Sequence, residues 1–348
     1  MFRYIGNKSK LTTEVMNKTA EIIGEHGTVV DLMAGTGTVA MEYRRRGYHV
    51  IASDIMTYSK HHLITQLLFD HEPEFEGLKF LGKDGLSVYE SVIDYLNNLI
   101  PMQGYFFQEF SSDGVPANGC DSRKYFTSSN ASKIDAVRNK INTWVTEQKI
   151  NENEESVLKH TIIMAVNRVA NISGTYGYYL SSFKKNSLEN FVLTPYVFEN
   201  IGNTNHTILQ GFAEDISHTI TADLCYIDPP YMKRQYAANY HILETIARGD
   251  FPEAVGKSGL RDWWDQHSKF CTKTRSADSF AKVIADMNCN HFLISYSEDG
   301  LLTVDQLVEL FSKFGEVVVN EINHTRFRSN QSLLPKNIKE YIFEVHKN

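Results

Sequence analysis

The amino-acid sequence predicts an α/β fold in which a mainly parallel sheet is interrupted by a long helical segment. Two apolar runs of strand length, His26–Met33 and Tyr48–Asp54, flank a helix that begins at Thr38, and this is the βαβ pattern of a parallel sheet. In the middle of the chain, Tyr125–Thr146 and Glu154–Asn171 carry apolar residues at helical spacing. We therefore expect a discontinuous α/β domain that contains a largely helical insertion.

The remaining strands are predicted in the C-terminal part of the chain. Apolar runs of strand length occur at 207–210, 223–228, 291–297, 317–320 and 341–346. Between two of them, the segment from Gly300 to Val308 is typical of a capped helix. The pattern of strands therefore returns after the helical segment.

These elements set the predicted domain boundaries. At 348 residues the chain is long enough for a full α/β core and a second, smaller unit. We place the α/β domain in residues 1–75 and 205–348 and the helical insertion in residues 76–204. Within the insertion, Gly104 to Gly119 is predicted to be a loop, because it is polar and contains glycine.

Composition indicates a globular protein in a reducing compartment. Hydrophobic residues make up 42% of the chain and charged residues 22%, which is ordinary for a globular domain. The four cysteines are far apart and form no CxxC pair, so we expect reduced thiols and no metal site. No run approaches the roughly 18 apolar residues of a membrane span, and the first residues lack the apolar core of a signal peptide. We expect a cytoplasmic protein that does not associate with membranes.

The distribution of charge matters more than the net charge of −7, which by itself argues weakly against a nucleic-acid partner. Acidic residues are concentrated at 70–76 and 147–155. Basic residues are concentrated elsewhere, at Lys184, Lys185, Lys233, Arg234, Lys269 to Arg275, Arg326 and Arg328. If the fold brings these basic segments onto one face, an acidic chain still has a phosphate-binding surface. For any single cluster, a solvated surface is the better interpretation.

A glycine-bearing turn after the first predicted strand is typical of a cofactor site. In DLMAGTGTVA, which starts at Asp31, Gly35 and Gly37 let the backbone approach a ligand, and the following helix offers N–H groups. Asp54 ends the next strand, where a carboxylate can bind the two hydroxyls of a ribose. The same pattern fits a dinucleotide and S-adenosylmethionine. Asp31 favours the second, because it can receive a methionine amino group and would repel a pyrophosphate.

The N-terminal segment RYIGNKSKL adds side chains suited to such a cofactor. Lys8 can pair with the cofactor's carboxylate, and Tyr4 can pack against its body. An exposed basic terminus is the alternative interpretation.

The apolar run at 224–227 leads into the tetrapeptide Asp228-Pro229-Pro230-Tyr231. The carboxylate can accept a hydrogen bond from an amino group. Proline has no N–H, so the turn is stiff and its carbonyl oxygens can act as acceptors. The tyrosine offers a flat face on which a base can stack. Together these groups suit methylation of an exocyclic amine on a flipped-out nucleobase; the alternative is a proline turn that caps a strand.

In this order of motifs the chain resembles the DNA adenine methylase family. The resemblance is carried by RYIGNKSKL, DLMAGTGTVA with the acid at Asp54, NRVANISGTYGYYLSSFKK from Asn167, and YIDPPYMKRQYAANYHILETIA from Tyr226. HFLISYSEDGLL and RFRSN are also similar to family segments. The likeness extends over nearly the whole chain. It implies an S-adenosylmethionine-dependent, Rossmann-like methyltransferase domain with an inserted, largely helical target-recognition domain.

The resemblance implies a role for individual residues. It implies cofactor contacts at Tyr4, Lys8, Asp31, Gly35 and Asp54. Asp228 and Tyr231 are implied to hold the target adenine. One departure concerns the acid that often contacts the cofactor's adenine: Phe212 occupies its place here, and we expect Asp215 or Glu214 to substitute. Candidates for DNA contacts are Lys184, Lys185, Lys233, Arg234, Arg326 and Arg328.

We expect a site-specific DNA methyltransferase that transfers a methyl group from S-adenosylmethionine to N6 of adenine in duplex DNA, releases S-adenosylhomocysteine and requires no metal. The expected context is a restriction-modification system with a separately encoded restriction endonuclease. The alternatives are an RNA adenine-N6 methyltransferase, a cytosine-N4 or protein glutamine methyltransferase, and a catalytically inactive DNA-binding relative. An NAD-dependent oxidoreductase would fit the glycine turn but has no use for Asp228-Pro229-Pro230-Tyr231.

Overall fold

A computed structural model describes residues 11–325 and 337–348 of the chain. In these ranges one sheet has the strand order β3-β2-β1-β4-β5-β7-β6. Its strands are β1 (Thr28–Asp31), β2 (His49–Asp54), β3 (Thr207–Gln210), β4 (Leu224–Ile227), β5 (His291–Ser297), β6 (Gly315–Thr325) and β7 (Asn337–Lys347). Neighbours from β3 to β5 are parallel, whereas β7 is antiparallel to β5 and β6. The predicted α/β class is confirmed.

The described α-helices are α1 (Thr12–Ile23), α2 (Thr38–Arg45), α3 (Thr57–Leu67), α4 (Val88–Asn97), α5 (Tyr105–Phe110), α6 (Ser128–Thr146), α7 (Glu152–Val169), α8 (Ala213–Ile216), α9 (Tyr236–Asn239), α10 (His241–Arg248), α11 (Lys273–Asp286) and α12 (Val304–Phe311). Short 3₁₀ turns lie at Glu76–Leu81, Lys185–Leu188, Ser217–Thr219, Trp264–Gln266 and Lys269–Cys271. Among the helices that the structure describes, none is long and apolar enough to cross a membrane.

The sheet brings the carboxyl ends of β1, β2 and β4 to one edge. The register pairs Asp31 with Ala52 on one side and with Tyr226 on the other. The chain builds outward from β1 in both directions, first to β2 and later to β4, so the strand order reverses between β1 and β4. In open α/β sheets, ligands bind outside the carboxyl ends of the strands at such a switch point.

One face of the sheet is closed by an apolar core. Cys225, Ile227 and Ile294 point from β4 and β5 into a buried cluster, which α11 joins through Phe280 and α12 through Phe311. α12 begins at a capping box in which the Thr303 hydroxyl accepts from Gln306 N, as the predicted capped helix requires. All four residues of β4 are buried, which is typical of a central parallel strand.

The chain divides into two compact units. The α/β unit contains Ile201–Tyr236, Gln266–Asn348 and the described residues up to Leu63, and the helical unit contains Ile64–Asn200 and Ala237–Asp265. The helical unit therefore includes a late segment, 237–265, that lies outside the insertion predicted at 76–204. That this insertion recognises the target remains a prediction.

The predicted loop at Gly104 to Gly119 is wrong in its first part, because α5 occupies Tyr105–Phe110. The N-terminus of α5 is capped by a distant side chain. The Asp135 carboxylate, on α6, accepts hydrogen bonds from Phe106 N and Phe107 N at 2.8 Å and from Gly104 N at 3.1 Å. The local sequence carries no trace of this cap, since it comes from another helix.

Candidate active site at the carboxyl edge of the sheet

Asp31 ends β1 as a buried carboxylate that is 1% exposed. Its Oδ2 accepts a hydrogen bond from Ala40 N, in the first turn of α2, at 3.0 Å. Burial raises the pKa of Asp31 to about 8, and the negative charges of Asp228 and Asp54 add to this rise, while the bond from Ala40 opposes it. No ion pair of Asp31 occurs among the described residues.

The turn between β1 and α2 is locked to the end of β2 by Asp54. Gly35 and Gly37 have φ of 55° and 80°, a region that glycine adopts without strain. Gly35 N donates to Asp54 Oδ2 and Met56 N donates to Asp54 Oδ1, both at 2.8 Å. Each carboxylate oxygen can accept more than one hydrogen bond. Asp54 therefore fixes the turn at the carboxyl end of β2.

Asp228 follows the last residue of β4 and lies near Asp31. The charge of Asp228 contributes to the raised pKa of Asp31 and, after burial, to the raised pKa of Tyr226. Asp228 is half-buried, and Pro229 behind it is buried. The structure thus brings Asp31, Asp54 and Asp228 together from three neighbouring strands. Like charges that lie close together disfavour the ionised state of the most buried carboxyl group.

Tyr231 is held by the turn that follows β5. Its carbonyl oxygen accepts from Leu301 N at 3.0 Å, and its ring centre lies 5.9 Å from that of Tyr296. Tyr296 is fixed in turn, because its hydroxyl accepts from Leu302 N at 3.2 Å. A Cβ at Gly300 would lie 2.0 Å from the Tyr296 ring, so only glycine permits this packing. Sequence reasoning noted HFLISYSEDGLL as a family segment but assigned no site residue to it.

The expected substitutes for the missing acid near Phe212 lie in different environments. Glu214 is buried and accepts from the Ser279 hydroxyl at 2.6 Å, which gives it a structural partner. Asp215 is exposed on α8. Phe212 precedes α8 and is half-buried. Asp215 is thus the acid with the more accessible side chain, and its cofactor contact remains a prediction.

The predicted DNA contacts are placed unevenly. Lys184 is half-buried and its Nζ donates to Ile172 O at 2.8 Å, whereas Lys185, Lys233 and Arg234 are exposed. The remaining predicted residues lie outside the described residues; these are Tyr4, Lys8, Arg326 and Arg328. Arg168, near the end of α7, is exposed and donates from Nη2 to Val192 O at 2.7 Å.

A groove in the helical unit lies beside α7. Its volume is about 510 Å³, and its lining includes Met164, Asn167, Arg168, Asn186 and Thr194. The Asn186 amide donates to Arg168 O at 3.1 Å, so the polar part of the lining is held in place. The groove combines hydrogen-bonding and apolar groups. Within the described residues, no group of three or more histidine, cysteine, aspartate or glutamate side chains could hold a metal ion.

The chain is similar to known DNA methyltransferases over most of its length. The family model for D12 class N6 adenine-specific DNA methyltransferases matches residues 4–325. The type II methyltransferase M.NlaIII of Neisseria lactamica is 31% identical over 334 residues, which cover 94% of this chain and 93% of that protein. M.CviAII of Paramecium bursaria Chlorella virus 1 is 31% identical over 348 residues, covering 99% and 98%.

A further relative is longer than this chain. The type II methyltransferase M.FokI of Planomicrobium okeanokoites is 34% identical over 353 residues, which cover 99% of this chain but 52% of that protein. The chain thus spans about half the length of M.FokI and nearly all of M.NlaIII and M.CviAII. The similarity in each case extends over nearly the whole of this chain.

The raised pKa of Asp31 gives a prediction about stability. The folded-state value of about 8 exceeds the ordinary unfolded value of about 3.9, so the folded chain binds an extra proton between these pH values. The stability of the wild type should fall as pH rises from about 4 to about 8 through this group. Asp31→Asn keeps an acceptor for Ala40 N without the charge. Relative to wild type, the free energy of unfolding of this variant should increase over that pH range by the order of a few kcal/mol.

Calorimetric melting of wild type and Asp31→Asn from pH 5 to pH 9 would measure this difference in stability. Asp305→Asn, at an exposed position in the first turn of α12, is the matched control and should show no such trend. A constant difference between wild type and Asp31→Asn at all pH values would contradict the expectation.

Proposed function

This chain belongs to the D12 class N6 adenine-specific DNA methyltransferases, and we propose that it methylates N6 of one adenine within a specific sequence of duplex DNA. The observation that carries the proposal is the meeting of Asp31, Asp54 and Asp228 at the switch point of the sheet. Two of these carboxylates suit a cationic cofactor that carries a ribose, and the third suits an amine. The resemblance read from the sequence is confirmed at the level of the family.

The residues at the β1 and β2 ends fit S-adenosylmethionine. Asp31 is a buried carboxylate that would receive the cofactor's ammonium, and the left-handed turn at Gly35 would let the backbone approach the cofactor. Asp54 would accept hydrogen bonds from the ribose hydroxyls. The bound cofactor supplies an electrophilic methyl group. The contacts of Tyr4, Lys8 and Asp215 with the cofactor are part of the proposal and rest on the sequence motifs.

Asp228 and the Pro229 carbonyl would act on the target amine. The lone pair of adenine N6 is delocalised into the ring, which makes the amine a poor nucleophile. Two fixed acceptors for its hydrogens favour the pyramidal amine, whose lone pair can attack. Acceptors that are already in position cost no reorganisation as charge develops. Asp228 need not remove a proton first, because the methylated amine becomes acidic and releases one readily.

Tyr231 would hold the base outside the duplex. The target atom is inaccessible in a stacked base pair, and extruding the base costs a few kcal/mol. Stacking on an aromatic ring returns about 1–3 kcal/mol per base. The bonds that fix Tyr231 and Tyr296 keep this surface in place before the base arrives. Less of the stacking energy is then lost in ordering the ring.

Recognition of DNA is proposed for the helical unit and for the exposed basic residues. Lys185, Lys233 and Arg234 are exposed and would contact phosphates, which position the duplex without reading its sequence. The groove beside α7 offers Arg168 and two asparagines next to apolar groups, a set that suits base edges. The relatives are named type II methyltransferases. We infer that this chain protects DNA against a separately encoded restriction endonuclease.

The proposed reaction is tested by mapping the methylated base. Unmethylated DNA, RNA and protein are each incubated with labelled S-adenosylmethionine, and the modified base is identified together with its flanking sequence. We expect label on adenine N6 in DNA at one short sequence. Label confined to RNA would support the alternative of an RNA adenine methyltransferase and overturn the DNA assignment.

Replacement of Asp228 separates catalysis from cofactor binding. Asp228→Ala should lower the methyl-transfer rate by at least about 10²–10³-fold, because one fixed acceptor for the amine is lost. Cofactor affinity should survive, since removing this charge eases the ionisation of Asp31. Titration calorimetry with S-adenosylmethionine and single-turnover methylation measure the two effects. Asp31→Asn is the reciprocal control and should lose cofactor affinity. Near-normal turnover by Asp228→Ala would refute the mechanism.

The proposed contact between Lys233 and a DNA phosphate can be tested through the salt dependence of binding. Lys233→Ala should weaken binding to specific and non-specific duplexes by similar factors and reduce the slope of log K against log salt by about 1. Lys313→Ala, which removes an exposed lysine after α12, is the charge-matched control. Fluorescence anisotropy at several salt concentrations measures both slopes. Equal slopes for the two variants would remove Lys233 from the DNA interface.

A further inference from the structure

Strand β5 extends further than its neighbour β4 at the carboxyl edge. The ladder between them ends where Ile227 pairs with Ile294. β5 continues to Ser297, and on its other side it stays paired with β7, where Ser297 lies opposite Glu340. Asp228 leaves the sheet where this ladder ends. Among the described residues, the last residues of β5 therefore pair with no strand on the side where β4 lies.

Ser297 lies on the same face of the sheet as the site carboxylates. The Tyr226 hydroxyl and the Ser295 hydroxyl are 3.0 Å apart, so these two side chains project from one face. Side chains alternate along a strand, which places Ser297 on the face of Ser295. Asp31, the direct partner of Tyr226 across β1 and β4, shares this face. The opposite face carries the apolar core.

The Ser297 hydroxyl is buried and lacks a partner. The residue is 1% exposed, and its Oγ makes no hydrogen bond with any described residue. Buried polar groups in folded proteins almost always have a partner, and an unsatisfied one requires an explanation. Ser295, two residues earlier on the same strand, is satisfied by Tyr226. Other buried groups, such as Ser59 and Ser217, are also unsatisfied, but Ser297 lies on the strand beside the one that ends at the Asp228 turn. A ligand at this edge of the sheet is therefore the partner to test.

The turn that carries Ser297 also holds Tyr231. Gly300 N donates to Ser297 O at 2.9 Å, and the next residue, Leu301, donates to Tyr231 O at 3.0 Å. The backbone from Ser297 to Leu301 therefore connects the end of β5 to the Asp228-Pro229-Pro230-Tyr231 turn. If β4 continued straight, the strand spacings would put the Cα atoms of Asp228 and Ser297 about 8 Å apart. Two side chains at that separation can reach different atoms of one planar ring.

We propose that the Ser297 hydroxyl donates a hydrogen bond to a ring nitrogen of the target adenine while N6 lies at Asp228. The inference rests on the proposed function and names one more residue that contacts the substrate. Two contacts at different atoms of the base fix its rotation in the plane of the ring. This fixes the direction in which the N6 lone pair points, and alignment of the reacting atoms is a large part of the rate.

The first test is Ser297→Ala with Ser295→Ala as the matched control. Ser297→Ala should slow single-turnover methylation roughly five- to tenfold, the worth of one neutral hydrogen bond. Its Tm should be unchanged or higher and its cofactor affinity unchanged, because an unsatisfied buried group is removed. Ser295→Ala breaks the bond to Tyr226 and should lower the Tm. A Ser297→Ala enzyme as fast as wild type would overturn the inference and leave an ordered water as the partner.

The second test asks whether the base itself is the partner. Duplexes carrying 1-deaza-, 3-deaza- or 7-deazaadenine at the mapped target each lack one ring nitrogen. One analogue should slow the wild type about as much as the mutation does, and with that analogue Ser297→Ala should cause no further loss. If the loss from Ser297→Ala and the loss from the analogue multiply for each of the three analogues, the inference is overturned. A wild type that methylates no DNA would instead refute the proposed function.

Discussion

The repulsion among three carboxylates at one edge of the sheet is the interaction on which the site depends. The parallel register of β1, β2 and β4 forces Asp31, Asp54 and Asp228 into proximity. Backbone N–H groups stabilise two of them: Ala40 N bonds to Asp31, and Gly35 N and Met56 N bond to Asp54. Burial and, after it, the charge of Asp228 nevertheless raise the pKa of Asp31 to about 8. Ionising Asp31 in the folded chain is therefore costly.

This electrostatic coupling links the proposed cofactor and target sites. The charge of Asp228 is, after burial, a cause of the raised pKa of Asp31. A cation beside Asp31 would lower that pKa, because it favours the ionised carboxylate. Loss of the Asp228 charge would act in the same direction. The two proposed sites are therefore not electrostatically independent.

The strands and the positions of the carboxylates could be predicted from the sequence, whereas contacts between distant segments could not. Asp31, Asp54 and Asp228 each end or follow a buried run, and parallel strands must align their ends, so the convergence of these carboxylates could be predicted without coordinates. Helix α5 was missed because its cap, Asp135, lies in another helix. Ser297 was not singled out because its significance lies in a missing hydrogen bond and in a register, neither of which a single strand displays.

The distribution of acid in the helical unit bears on how a chain with a net charge of −7 could bind DNA. The acidic segments at 70–76 and 147–155, distant in sequence, meet at one cavity, where Glu74 and Glu76 face Glu152 and Glu154. The groove beside α7 is lined by other residues and carries Arg168. Interactions between exposed charges fade beyond about 8 Å at physiological salt. Collecting the acid at one place therefore lets a net-negative chain keep local surfaces that a phosphate backbone can approach.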